Sequence, residues 1–185
     1  MSPRKIAVVV GSLRRDSHNR KLADALPKLA PAGWAFEPLP IGDLPLYNQD
    51  DDGNPAAAVK QLKAGILAAQ GVLFVTPEYN RSIPGVLKNA IDHAARPYGQ
   101  SAWAGKPAGI IGVSVGAIGT ALAQQHLRNI LAYLDMPTLG QPEAFIQAKD
   151  GLFDADGAIG DGSRKFLQDW VRRYLGWVEQ HLYKG

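Results

Sequence analysis

The chain contains no cysteine, which removes disulfides, thiolate metal sites and a cysteine nucleophile together. It also lacks any apolar run of the length a membrane span needs. The apolar stretch behind the basic start "MSPRK" lasts only five residues before Gly11, too short for a secretion signal. Excess charge of one sign is missing as well. The formal net charge is +3 in 185 residues and the basic side chains are scattered, which argues against a nucleic-acid partner. Four histidines, His18, His93, His126 and His181, show neither HxH nor HExxH spacing, so no metal site is expected. The expectation is a cytoplasmic protein with neither a membrane nor a nucleic-acid partner.

What is present is an alternation of two patterns. "KIAVVV" (5–10), "GVLFVT" (71–76) and "AGIIGVSV" (108–115) are continuous apolar runs rich in Val and Ile, as in strands covered on both faces. "WAFEPLPI" (34–41) and "TLGQPEAFI" (138–146) are interrupted by proline and are expected nearer an edge. Between them, Leu22, Ala25, Leu26 and Leu29 share a helical face, as do Val59, Leu62, Ile66 and Leu67. The same spacing joins Val86, Leu87, Ala90, Ile91 and Ala94, then Leu122, Leu127, Ile130, Leu131 and Leu134. It is longest in Leu167, Val171, Tyr174, Leu175, Val178 and Leu182. With 46% hydrophobic residues and no linker or repeat, this reads as one doubly wound α/β domain over residues 1–185. Right-handed crossovers place the C-terminal ends of its parallel strands on one rim, where such sheets bind ligands.

Three loops fall on that rim. Gly11 to Arg20, "GSLRRDSHNR", joins the first strand to the first helix. A helix N-terminus offers unpaired N–H groups and favours an anion. Ser12, Ser17 and Asn19 add neutral donors, and Arg14, Arg15 and Arg20 add charge, a set suited to one terminal phosphate. A Walker loop would need a second glycine and a GK[ST] end; a dinucleotide loop would need GxGxxG, and neither is present. Glu37 therefore carries little weight as a ribose-binding acid, and His18 is either a further phosphate neighbour or a solvated side chain.

The loop after the third strand, "TPEYNRSIPG" (76–85), is stiffened by two prolines and a glycine. It presents Glu78, Tyr79 and Asn80 in a setting suited to a flat, hydrogen-bonding ring. The loop after the fourth strand, "GVSVGAIG" (112–119), contains GxSxG around Ser114. That pattern is shared by the nucleophile elbow of serine hydrolases and by glycine loops that bring backbone close to a flat ligand. A hydrolase would need His126 or His181 on the same rim.

These motifs together resemble the NADPH-dependent FMN reductase family, and most closely its chromate reductase and NAD(P)H quinone reductase subgroup. The matching stretches are "GSLRRDSHNRKLADAL", "PLYNQD", "LFVTPEYNRSIPGVLKNAID", "RPYGQSAWAGKP" and "SVGAIG", between Val10 and about Ile146. Val115 and Thr120 depart from the proline or glycine frequent there. The resemblance implies a flavodoxin-like three-layer sandwich, with a five-stranded parallel sheet in the order 2-1-3-4-5 and helices on both faces. It implies bound FMN, with NADPH or NADH as co-substrate. Ser12, Arg14, Ser17, Asn19 and Arg20 would form the phosphate site. Pro77, Glu78, Tyr79, Asn80 and Ser82 would surround the ring and sugar chain, and Ser114 and Gly116 would line the other side. No side chain is expected to be catalytic, since the chemistry belongs to N5 of the flavin. Ping-pong hydride transfer to quinones, free flavins, dyes or chromate follows, in a homodimer or homotetramer.

Two other classes stay open on the residues alone. One is a serine hydrolase through Ser114. The other is a flavodoxin-like electron carrier, which the basic pI near 9.2 disfavours. Arg15, Arg81 and Arg96 are the candidates for a nicotinamide 2′-phosphate, and Val86, Leu87 and Ile91 for an interface between copies.

Overall fold

Along Arg4–Val10, the first strand (β1), side chains alternate between two cores because a strand has period two. Ile6, Val8 and Val10 enter one, Ala7 and Val9 the other. The computed structural model describes residues 2–182. The remaining strands are β2 (Trp34–Pro38), β3 (Gly71–Val75), β4 (Ala108–Ser114) and β5 (Phe145–Gln147), and the helices are α1 (His18–Ala25), α2 (Ala57–Ala68), α3 (Gly85–Ala94), α4 (Ala121–Tyr133) and α5 (Asp161–Leu182). The sheet order is β2-β1-β3-β4-β5, parallel throughout. This is the expected doubly wound architecture with helices on both faces. No helix of the described residues is long and apolar enough to cross a membrane.

One core lies under α1 and α5, where Leu22, Leu26, Trp170, Tyr174 and Val178 cover Leu73, Val75, Ile111 and Val113. The other lies under α2, α3 and α4, where Leu62, Ile66, Leu87, Ile91, Leu127 and Leu131 meet Val72, Phe74 and Ile110 around Trp103. Glycines in the strands set how closely α5 approaches. A Cβ at Gly109 would lie 2.6 Å from the Tyr174 ring, and one at Gly71 2.7 Å from Val178. The Tyr174 ring therefore sits directly on the sheet.

Two strand expectations change. The second strand stops at Pro38 rather than continuing to Ile41. The last is confined to Phe145–Gln147, with a single bridge from Thr138 to Ala108 ahead of it. In between, side chains take the carbonyls a ladder would use. Arg128 Nη1 donates to Leu139 O and Trp170 Nε1 to Pro142 O, while Pro142 has no N–H to give; Pro137 O keeps its bond from Ala108 N and accepts Trp177 Nε1 as well. Leu87 and Ile91, expected at an interface, are core residues.

Candidate active site

The parallel sheet brings the C-terminal ends of β1, β3 and β4 together, and the loops that leave them are cross-linked. The first begins at Gly11, whose N–H continues the ladder to Val75 O. A Cβ there would press Leu87 and Thr76 at 3.3 Å, so glycine lets the first two loops lie side by side. Ser17 caps α1, its Oγ accepting from Arg20 N at 3.2 Å. Ser12 and Ser17 are buried, whereas Arg14 and Arg15 are exposed and Arg20 is half-buried. The N–H groups of Ser12, Leu13, Arg14, His18 and Asn19 have no partner among the described residues. Free donors, a helix N-terminus and arginines thus share one turn.

Asn19 differs from the expectation. Its Nδ2 donates to Val113 O at 2.9 Å and its Oδ1 accepts from Val113 N at 3.0 Å. With both ends of the amide engaged 94 residues away, the side chain braces the first loop against β4, while the Asn19 backbone N–H stays in the donor set.

The second loop turns in a two-residue hairpin, with Tyr79 N to Ser82 O at 2.9 Å and Ser82 N to Tyr79 O at 3.0 Å. Asn80 and Arg81 at its tip have φ of 51° and 64°, the left-handed pair that such a tight turn needs. Pro77 is buried and Tyr79 is half exposed. The Glu78 carboxylate is engaged by α4 and by Arg81. Its Oε2 accepts from Leu122 N and Ala123 N at 3.0 and 3.1 Å, and its Oε1 from Arg81 Nη1 at 3.0 Å. Ser82 Oγ lies 2.9 Å from His126 Nδ1.

The third loop leaves β4 beside the second. At Gly112 a Cβ would stand 2.1 Å from Thr76 O and 2.3 Å from Thr120 Oγ1, so only glycine permits this crossing. Ser114 Oγ accepts from Gly116 N at 3.0 Å, and Gln147 Nε2 holds Val115 O at 3.2 Å. Gly119, at φ 60°, passes so near the start of β5 that a Cβ would meet Phe145 C at 2.7 Å. Among the described residues Ser114 has no histidine partner: His126 pairs with Ser82, and His181 Nδ1 with Trp177 O within α5. The arrangement of a serine hydrolase is absent.

Of the arginines considered for a 2′-phosphate, Arg15 stays exposed on the first loop. Arg81 is engaged by Glu78, and Arg96 lies beyond the far end of α3, away from the rim. Exposed Leu13 and Ile118, which the sequence did not single out, join Val115, noted there only as a departure from the family pattern, as an apolar border to the rim. Thr76 is another residue not singled out, its hydroxyl donating to Pro77 O at 2.8 Å. Their hydrophobicity was visible, but their exposure together depends on the sheet order.

The combined donor set suits a ligand with a terminal phosphate at one end and a flat ring with polar edges at the other. FMN has that shape, so the residues fit it. Comparisons with known proteins point the same way. The model of the NADPH-dependent FMN reductase family matches residues 4–150. The chain is 55% identical over 175 residues to 2-hydroxy-1,4-benzoquinone reductase of Burkholderia sp, covering 94% of this chain and 96% of that one. It is 51% identical to a quinone reductase of Pseudomonas putida, covering 94% of each. The solved structure of FerB, a flavoenzyme NAD(P)H:(acceptor) oxidoreductase from Paracoccus denitrificans, matches with a TM-score of 0.92 at 49% identity, covering 96% of this chain and 98% of that one. A flavodoxin from Pseudomonas aeruginosa shares the fold, with a TM-score of 0.58 at 20% identity and coverage of 93% and 99%. The chain belongs to the NADPH-dependent FMN reductase family, and is an oxidoreductase whose cofactors are FMN and a reduced nicotinamide.

Proposed function

We propose that this protein reduces quinones with NAD(P)H through FMN held on the rim, by a ping-pong sequence. The observation that carries the reading is the set of free backbone donors in the Gly11–Ser17 loop, fixed beside the hairpin and the glycine loop. The relatives named quinone reductases support the choice of acceptor. The chemistry FMN supplies is hydride transfer at N5, from reduced nicotinamide in one half-reaction and to the acceptor in the next.

In this reading the N–H groups of residues 12–14 and 18–19, the Ser12 and Ser17 side chains and Arg14 or Arg20 hold the phosphate. Pro77, Tyr79, Asn80 and Ser82 border the ring on one side, and Ser114 and Gly116 on the other. Backbone N–H groups at the hairpin tip offset negative charge that reduction places on the ring edge. Leu13, Val115 and Ile118 keep water from its face and give a flat acceptor an apolar surface. An open rim of this kind also admits free flavins, dyes or chromate. Homodimers or homotetramers are supported by the groove of about 620 Å³ between α3 and α4, beside which Tyr98 and Tyr133 stand exposed. The cytoplasm, where reduced nicotinamide is available, is the proposed location.

Initial rates with NADPH or NADH against a simple benzoquinone test the order of events. Double-reciprocal plots at several fixed quinone concentrations are expected to be parallel. Intersecting lines would contradict alternate use of one site.

A further inference from the structure

We propose that Glu78 is a positioning residue that holds the ring-side hairpin against α4, and so sets how tightly the site grips a flavin ring; this rests on the reading of the rim as an FMN site. The hairpin needs such a hold. Asn80 and Arg81 both lie in the left-handed region, which asparagine enters readily but which costs a residue such as Arg81 about 1 kcal/mol or more, and such a turn persists only if its surroundings fix it. Glu78, with a side chain only 7% exposed, meets that need from the residue before the hairpin. One carboxylate oxygen accepts from the first-turn N–H groups of α4 at Leu122 and Ala123, and the other from Arg81. At the other end, Ser82 meets His126, one turn further along α4.

The usual capping group of α4 is occupied elsewhere. Thr120 precedes the helix but makes no cap; its hydroxyl accepts from Gln124 Nε2 at 3.0 Å. Glu78 takes that role from 44 residues away, where a carboxylate is favoured by the helix dipole. The result is a rigid path from α4 to the N–H groups of Asn80 and Arg81, which have no partner among the described residues. The helix N-terminus and Arg81 also offset the carboxylate charge, so it does not oppose electron density on the ring.

The test compares wild type with Glu78→Ala, Glu78→Asp and Glu78→Gln, measuring dissociation constants for FMN and riboflavin by fluorescence quenching and the melting temperature of the apoprotein. Losing hydrogen bonds to a charged group is expected to weaken both flavins by roughly tenfold or more in Glu78→Ala. The two factors should be equal, because riboflavin lacks only the phosphate. Glu78→Asp keeps the charge but not the reach and should also weaken both, whereas Glu78→Gln keeps one acceptor at full reach for the α4 N–H groups, loses the bond to Arg81, and should recover part of the affinity. If Glu78→Ala does not fold, the difference between the Asp and Gln variants decides. Variants that melt lower but bind both flavins as wild type does would overturn the proposal, as would weakened FMN binding with riboflavin unchanged. Wild type that takes up neither flavin would instead overturn the FMN reading itself, and the hairpin's role with it.

Discussion

Asn19 shows how one side chain ties the phosphate loop to the sheet. Val113 is 1% exposed, and its N–H and C=O both depend on the Asn19 amide. In Asn19→Ala the two backbone groups lose their partner, at a cost of about 2–4 kcal/mol for two buried unsatisfied groups. Urea unfolding should show a lower midpoint with an unchanged slope; a midpoint equal to that of wild type would contradict the assignment. A polar residue at the start of α1 was legible in the sequence as a phosphate ligand. Its real partner was not, because nothing local links position 19 to position 113. Glu78 repeats the lesson: an acid in a ring loop gave no sign that it would cap a helix beginning at Ala121. Ser12, by contrast, is buried without a hydrogen-bond partner among the described residues, and Arg14 is exposed on the same loop.

At the scale of elements, strands covered on both faces were the most readable. β1, β3 and β4 are apolar at nearly every position because each buries both sides, and their limits fall within a residue or two of those expected. β5 was misplaced because the segment ahead of it is broken: Pro142 has no N–H to give, and the carbonyls of Leu139 and Pro142 go to Arg128 and Trp170, side chains on two helices. The helices followed their three-and-four spacing along most of their length, although Leu67, Leu122 and Leu182 are exposed and Leu29 lies in a separate turn after α1. Helix α5 also carries a testable tension. Its Tyr174 is wholly buried on Gly109, and its hydroxyl has no partner. Tyr174→Phe should therefore range from neutral to a gain of about 1 kcal/mol near pH 7, since it removes an unpaired buried polar atom. Burial also holds the Tyr174 phenol well above its ordinary value of 10.0. Once the pH passes that ordinary value, the unfolded chain loses a proton that the folded chain keeps, and stability falls. Denaturation curves at neutral and strongly alkaline pH should show that the Phe variant lacks this residue's share of the alkaline loss. A variant clearly less stable than wild type at pH 7 would mean that the hydroxyl has a partner after all.

On the scale of the whole molecule, sheet order turns separate motifs into one site. β1, β3 and β4 lie adjacent, so loops drawn from residues 11–20, 76–85 and 112–119 share a rim although 55 residues separate the first from the second and 26 the second from the third. Their order and residue types were legible from the sequence, and so was the family. The braces between them, Asn19 to Val113, Glu78 to α4 and Ser82 to His126, exist only in the folded chain. They make the rim a fixed frame, and the account holds that this frame uses FMN to carry hydride from NAD(P)H to a quinone. The most direct measurement is the visible absorption spectrum of the FMN-loaded protein without oxygen, recorded after one equivalent of NADPH or NADH and again after a quinone. The flavin bands should bleach with at least one of the nicotinamides and return with the quinone. Bands that ignore both nicotinamides, or that stay bleached when the quinone is added, would contradict the account.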